Sequence, residues 1–358
     1  MLRRLVLYIS LSVTASSVLA QEDSGKINFS GYLETYYTYD FNRPQNHNRP
    51  DFIYSHNRHN EININLAFLK GSFTNERIRA NLAFAAGTYM NANLAGEPGV
   101  LKNIFEANLG IKLSAQKNWW LDAGVMPSHI GFESAISKDC WTLTRSMLAD
   151  NSPYYETGIK LSYTSQNNKW SAAVLLLNGW QRIQRLEGNQ SLGVGHQLVF
   201  KPTDKTSINS SSFIGNDKPD SIHQMRYFHN LYGQFELTEN WALIIGFDIG
   251  AEQKSKGSKA YNIWYSPVLI SRFQLHPKWK LAIRGESYTD KKKVLIATQI
   301  ANGFSAIGYS MNIDYVPFEQ VICRFEIRRL QSKDYLFYSG RTSTKDNVFL
   351  TISTAVSF

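Results

Sequence analysis

The strongest constraint on this 358-residue chain is a succession of two-residue alternations, separated by connections that are by turns short and long. In 61–69, EININLAFL, Ile62, Ile64, Leu66 and Phe68 fall on one face, and Glu61, Asn63 and Asn65 on the other. Segment 77–86 sets Ile78, Ala80, Leu82, Phe84 and Ala86 against Arg77, Arg79 and Asn81. Segment 105–113 sets Phe105, Ala107, Leu109, Ile111 and Leu113 against Glu106, Asn108 and Lys112, and 241–249 opposes Trp241, Leu243, Ile245, Phe247 and Ile249 to Asp248. A pleated strand sends successive side chains to opposite faces, so each segment is predicted as a strand with one apolar and one polar side. About sixteen of them begin near 27, 60, 77, 103, 118, 154, 169, 191, 206, 225, 241, 261, 279, 303, 320 and 347. Many run to about ten residues or more, against a mean of about 5–6 in soluble proteins.

The connections carry more weight than the strands, because soluble sandwiches also alternate. Short ones lie at 74–76, 114–117, 164–168, 202–205, 238–240, 276–278 and 316–319. Long ones lie at 41–58, 90–102, 127–153, 179–190, 216–224, 252–260, 290–302 and 332–346. Strict segregation by length is what a membrane barrel with both termini on the periplasmic side requires, with turns inside and loops outside. Strands of about ten residues suit a tilted bilayer crossing. Closure removes the free edges that would make long apolar-faced strands aggregate. The predicted fold is therefore all-β: a transmembrane antiparallel up-and-down β-barrel of about 16 strands. A mean hydropathy of −0.30 and the lack of an internal apolar run of transmembrane-helix length exclude a helical bundle. A 43% hydrophobic content excludes a disordered chain, and two cysteines are too few for a disulfide scaffold.

The two ends fit this topology. Residues 1–20, MLRRLVLYISLSVTASSVLA, have a basic start, an apolar middle and a small-residue cleavage site before Gln21, as in a secretory signal peptide. Residues 21–358 then form a single barrel domain exported through the periplasm to a bacterial outer membrane. The chain closes with VFLTISTAVSF, in which Val348, Leu350, Ile352, Thr354 and Val356 share a face and Phe358 is terminal. A terminal phenylalanine on an amphipathic strand resembles the signal read by the barrel assembly machinery. Trp119, Trp120, Trp170, Trp241 and Trp279 follow short turns, and Tyr163, Phe200 and Tyr315 precede them, as a periplasmic aromatic girdle would require.

A barrel of 16–18 strands leaves an aqueous lumen. Arg77, Arg79, Glu106, Lys112, Asp122, Glu156, Lys160, Arg226, Glu236, Arg284, Glu286, Arg324, Glu326 and Arg328 fall on predicted lumen faces; basic residues are somewhat favoured, so a weak anion preference is expected. The longest connection, 127–153, contains Ile130, Phe132, Ile136, Trp141, Leu143, Met147 and Leu148, and that apolar content calls for packing against the barrel interior. By analogy with general porins it would fold inward and narrow the pore, which makes Glu133, Lys138, Asp139 and Arg145 constriction candidates. The competing reading is a small helix over 141–150 capping the outer mouth.

The stretch 121–163, with LDAGVMPSHIGFES and then TLTRSMLADNSPYYETGIKLSY, resembles the OmpL-like β-barrel porins of Bacteroidetes, as does the opening GYLETYYTYDFNRP at 31–44. The resemblance implies a channel in a Gram-negative outer membrane that passes small hydrophilic solutes passively, without catalysis or cofactor. It supplies no substrate. A non-conducting surface-binding or adhesion barrel acting through its outer loops is the alternative. Homotrimeric assembly is left open, and the expected partners are outer-membrane lipid and lipopolysaccharide; the runs Lys254-Lys256-Lys259 and Lys291-Lys292-Lys293 are read first as solvated outer loops, with contact to lipopolysaccharide phosphates by electrostatics as the alternative.

Other sites are weaker. His56 and His59 have metal-binding spacing, on a polar loop without a supporting carboxylate cluster. A lipid-facing hydrolase would need Ser, His and an orienting Asn or Asp together, and His196 and His229-Asn230 have no serine suitably placed in sequence. No Gly-rich phosphate loop or nucleic-acid motif occurs. Cys323 is expected on the lipid face and Cys140 in the third loop; a bridge between them would require that loop to descend most of the barrel, so none is expected.

Overall fold

In the computed structural model, residues 25–340 and 342–358 are described, so the signal-peptide reading of 1–20 lies outside the described residues. The barrel strands are β1 (Lys26–Asp40), β2 (Ile62–Thr74), β3 (Ile78–Ala86), β4 (Ile104–Lys112), β5 (Asn118–Pro127), β6 (Tyr155–Thr164), β7 (Trp170–Leu177) and β8 (Gly193–Thr203). They continue as β9 (Thr206–Asn216), β10 (Met225–Glu236), β11 (Trp241–Gln253), β12 (Tyr261–His276), β13 (Trp279–Asp290), β14 (Phe304–Phe318), β15 (Val321–Gln331) and β16 (Asp346–Ser357). Each pairs antiparallel with its sequence neighbours, and β16 returns to β1 to close the barrel. Every strand begins within two residues of its expected start, and the alternation of short turns with long loops runs unbroken. Two short helices, α1 (Thr88–Asn93) and α2 (Met147–Asp150), and a hairpin pairing Phe337–Ser339 with Thr342–Thr344 lie in long loops.

Closure is completed at the C-terminus. Tyr32 pairs with Ser357 and Tyr37 with Ile352, and Phe358 exchanges backbone hydrogen bonds with Gly31 (2.7 and 3.0 Å). The outer wall is apolar: Leu82, Leu109, Ile245, Ile283, Met311 and Ile352 are all exposed, as side chains meant for hydrocarbon should be. At the periplasmic rim the aromatics stack across strands, Trp119 on Tyr163, Trp170 on Phe200, Trp241 on Phe273 and Trp279 on Tyr315. Trp120 is a correction to this girdle. It faces the lumen, where the Arg79 guanidinium lies 4.3 Å from its ring centroid.

A second correction concerns β2. The register between β1 and β2 shifts at Glu34/Thr35, leaving Asn65 as an extra residue between Ile64 and Leu66. A bulge of this kind reverses the sidedness of everything beyond it. Ile62 and Ile64 point outward as expected, but Leu66 and Phe68 turn into the lumen, and Leu69 takes the lipid face. Phe68 stacks between Tyr32 (5.6 Å) and Phe105 (5.2 Å), and a second shift at Ala83/Phe84 brings Phe105 in beside it.

Candidate functional site

The interior is partly filled by the protein's own loops. From β5 the chain enters the lumen as the third long loop, residues 128–154. It reaches the periplasmic end, where the Lys138 ammonium donates to the Glu319 carbonyl of the β14–β15 turn (3.2 Å) and to the Ser357 hydroxyl. Its return leg is fastened to the inner wall of β12–β15. Arg284 donates to Thr142 Oγ1 (2.9 Å) and the Thr144 carbonyl (2.6 Å); Arg324 donates to the Ser137 and Cys140 carbonyls (2.5 and 3.1 Å); and Arg328 donates to the Arg145 carbonyl (2.8 Å). Backbone amides complete the seam, Leu143 N to Asn312 (3.0 Å), Thr144 N to Glu326 (2.5 Å) and Met147 N to Glu286 (2.6 Å). Arginine suits this role because its planar fork spans two acceptors while remaining charged.

This seam determines what each sequence-predicted residue does. Arg284, Arg324 and Arg328 point inward but are covered by the loop, paired with Glu286 and Glu326, with Asp314, and with Glu286 respectively. Arg226 is buried against Glu252 (2.6 Å), with the Trp180 ring 5.2 Å away. Arg145 is fully buried and bonds within its own loop: Nε to the Ser134 carbonyl (2.6 Å), Nη1 to Leu143 (2.7 Å) and Nη2 to Ala135 (3.1 Å). Glu133 is buried as well and accepts from the Ser146 amide (3.0 Å) and hydroxyl. Asp139 alone of the four loop candidates is exposed, and Arg77 stands exposed in the β2–β3 turn.

The wetted charges lie on the opposite wall. Arg79 pairs with Asp122 (2.5 Å) and is one-third exposed; Lys70 pairs with Glu106 (2.5 Å); Lys112 and Lys160 are half-buried beside them. Lys70 escaped the sequence reading because the bulge at Asn65 hides its sidedness, and no local signal would have revealed it. Between this wall and the loop a cavity of about 440 Å³ remains, lined by Lys70, Glu106, Phe132, Ser134, Tyr232 and Gln234 among others.

Nearer the outer mouth the interior is apolar. Leu175, Phe213, Phe228, Trp264, Tyr288, Phe304, Leu330 and Phe349 project inward from eight strands and pack with Phe52 and Ile53 of the first loop and Met147 of the third. The first loop is tied down at Glu34 on β1, which accepts from His56 Nε2 (3.0 Å), Asn65 (2.9 Å) and Ser137 of the third loop (2.5 Å). His59 Nδ1 instead accepts the Asp40 amide (2.9 Å), so the His56/His59 pair does not converge on a metal. Among the described residues no cluster of three or more His, Cys, Asp or Glu side chains could hold one.

Two outward features differ from expectation. His196 and His229 face lipid on either side of Ser212, their cross-strand partner, with His196 Nδ1 2.5 Å from Ser212 Oγ and the two imidazole centroids 6.0 Å apart. The serine does meet histidine here; no carboxylate from the described residues joins them on that face. Cys140 and Cys323 are both free thiols, yet the third loop does descend the barrel. Their separation comes from the wall, Cys140 inside and Cys323 on the outer face with Phe325 and Ile327.

A family model described as "Putative beta-barrel porin-2, OmpL-like" matches residues 26–358. The chain belongs to this porin family. Solved structures share its fold: the loop L8 deletion mutant of OmpT, an outer membrane protein of Vibrio cholerae, at a TM-score of 0.60 and 8% identity over 94% of this chain and 100% of that one. An anion-selective porin from Comamonas acidovorans matches at 0.60 and 10% identity, covering 93% and 100%. The trimer form of in-vitro folded Vibrio cholerae OmpT matches at 0.57 and 10%, covering 94% and 100%. No curated protein sequence matches. Family and architecture place this porin-like barrel in the outer membrane.

Proposed function

We propose that this member of the OmpL-like family conducts small hydrophilic solutes by passive diffusion, without cofactor or catalytic step. The observation that carries the reading is the unfilled space between the third loop and the inner wall, lined by Lys70 and Glu106, with Arg79, Lys112 and Lys160 on the inner faces of neighbouring strands. A third loop narrowing a wide barrel leaves a passage whose charges set ion preference. Two acids, Glu106 and Asp122, neutralise Lys70 and Arg79, leaving Lys112 and Lys160 in excess. A weak anion preference follows. Single-channel recording of the refolded chain 21–358 in a planar bilayer tests this: discrete ohmic steps with an anion-leaning reversal potential are expected, and a folded, inserted protein that never conducts would refute it.

The apolar cluster around Phe52, Phe304 and Phe349 favours a second reading, a barrel closed at its outer mouth whose loops bind a ligand. Absence of conductance with retained insertion selects that reading. Residues 1–20 serve in this scheme as the export signal, and Phe358 as the feature recognised during barrel assembly. The lipid-facing patch of His196, Ser210, Ser212 and His229 supports self-association, because imidazole and hydroxyl groups are costly to leave in hydrocarbon. A trimer, as in the solved form of OmpT, would cover it.

A further inference from the structure

The outer rim holds a basic pocket that the channel reading does not use. The loops 291–303 and 332–345 enclose an open recess of about 880 Å³, lined by Lys291, Lys292, Lys333 and Lys345. All four lysines are exposed, and none forms an ion pair among the described residues. Asp334 is the one acid in the lining, and its Oδ1 already accepts from Asn302 (3.0 Å). Four lysines against the single acid Asp334 leave the lining a net charge of about +3, which favours an anion in the recess, and the Lys345 ammonium lies 4.9 Å from the Tyr335 ring centroid at its edge.

The floor of the recess locates it relative to the membrane. Ser305 and Ile307 of β14 line it, and Ile307 faces outward, one outward position above Tyr309. Across from Tyr309 stands Arg329, which makes an exposed ion pair with Asp346 (2.6 Å). An aromatic hydroxyl beside a solvated ion pair marks the boundary between hydrocarbon and headgroups. The lysines lie above that line and the apolar wall below it. The other basic run of the outer loops is engaged differently: Lys256 donates to the Asp220 carbonyl (2.8 Å).

We propose that this recess binds the phosphorylated headgroup of an outer-leaflet glycolipid, with Lys291, Lys292, Lys333 and Lys345 meeting phosphate oxygens while acyl chains lie below Tyr309 along Met311 and Ile327. The inference rests on the outer-membrane location, not on conduction. Charge near a membrane surface is worth about 1 kcal/mol per lysine, so each lysine removed weakens binding about 5-fold. The test titrates the refolded protein in detergent with diphosphorylated lipid A and reads retention by native mass spectrometry. Lys333→Gln/Lys345→Gln is expected to weaken retention about 30-fold with barrel folding unchanged on heat-modifiable gels, and Lys254→Gln/Lys256→Gln to leave it unaltered. Equal binding of dephosphorylated lipid A would overturn the proposal, as would equal loss in both double variants. Displacement by inorganic phosphate at the same concentration as lipid A would assign the recess to free phosphate instead.

Discussion

Removing the Arg145 guanidinium should release the third loop without unfolding the barrel. Its three donors reach the carbonyls of Ser134, Leu143 and Ala135, closing the loop on itself at full burial. A buried acceptor stripped of its donor costs about 1–3 kcal/mol, so three of them cost about 3–9 kcal/mol before water enters from the adjacent lumen. Taking the lower end, Arg145→Ala raises the population of the detached loop about 100-fold. Cys140 is a built-in reporter: it is buried within this loop, donates to the Ser134 carbonyl (3.3 Å), and burial pushes its thiol up to about 11. In a Cys323→Ser background, alkylation of Cys140 by a soluble maleimide should therefore be slow in the parent and about 100-fold faster in Arg145→Ala, with a larger conductance step. Arg145→Lys should fall between, since one ammonium cannot span three carbonyls. Unchanged labelling and unchanged step size in a folded Arg145→Ala barrel would refute the clamp.

Asp150 gives the loop a pH dependence. Burial outweighs the nearby Arg328 and Arg145 and pushes its carboxyl up to about 7 from an ordinary 3.8. The folded loop thus holds the proton more tightly than the detached one, so packing is strongest below about pH 4, weakens as pH rises through about 7 and is flat above. Cys140 labelling should follow that curve, and Asp150→Asn should flatten it. Arg79→Gln/Lys160→Gln should move the reversal potential toward cation preference, checked in a tenfold salt gradient, while Arg77→Gln in the exposed turn should not. His229→Leu should weaken any detergent-stable oligomer by native mass spectrometry while the monomeric barrel still folds. Trp279→Ala, which strips the stack on Tyr315, should cost about 0.5–1.5 kcal/mol beyond lost area in a urea refolding titration.

Strand positions and loop parity could be read from the sequence because period-two alternation is local and a turn needs only its own residues. Sidedness failed where the backbone inserted one residue: nothing in ININLAFLK distinguishes Ile64 from Leu66, and the bulge between them sends Leu66, Phe68 and Lys70 inward. Trp120 failed for a related reason, since adjacent tryptophans must face opposite ways and only Trp119 could join Tyr163. The roles of the arginines were not legible at all. Arg79 and Arg284 occupy equivalent inward positions on their strands; which is wet depends on where a loop about 65 residues from the one and 140 from the other comes to rest, and that is a long-range property.

The position of that loop follows from the charges beneath it. Arg284, Glu286, Glu326 and Arg328 form a buried array in which each ion would cost several kcal/mol to strip of water if its lone pairs and protons were left open. Apolar side chains could not close it. The segment TLTRSM can, because it offers both carbonyls and amides: Thr144 alone presents its carbonyl and hydroxyl to Arg284 and its amide to Glu326. The acidic and basic partners alternate along β13 and β15, so the loop has one register that satisfies both signs. On β2–β5 the pairs Lys70–Glu106 and Arg79–Asp122 are already satisfied, each across an intervening strand, and remain partly hydrated, so they recruit no loop. The cavity is therefore left against the wall whose ion pairs are self-sufficient, and the loop covers the wall whose ion pairs are not.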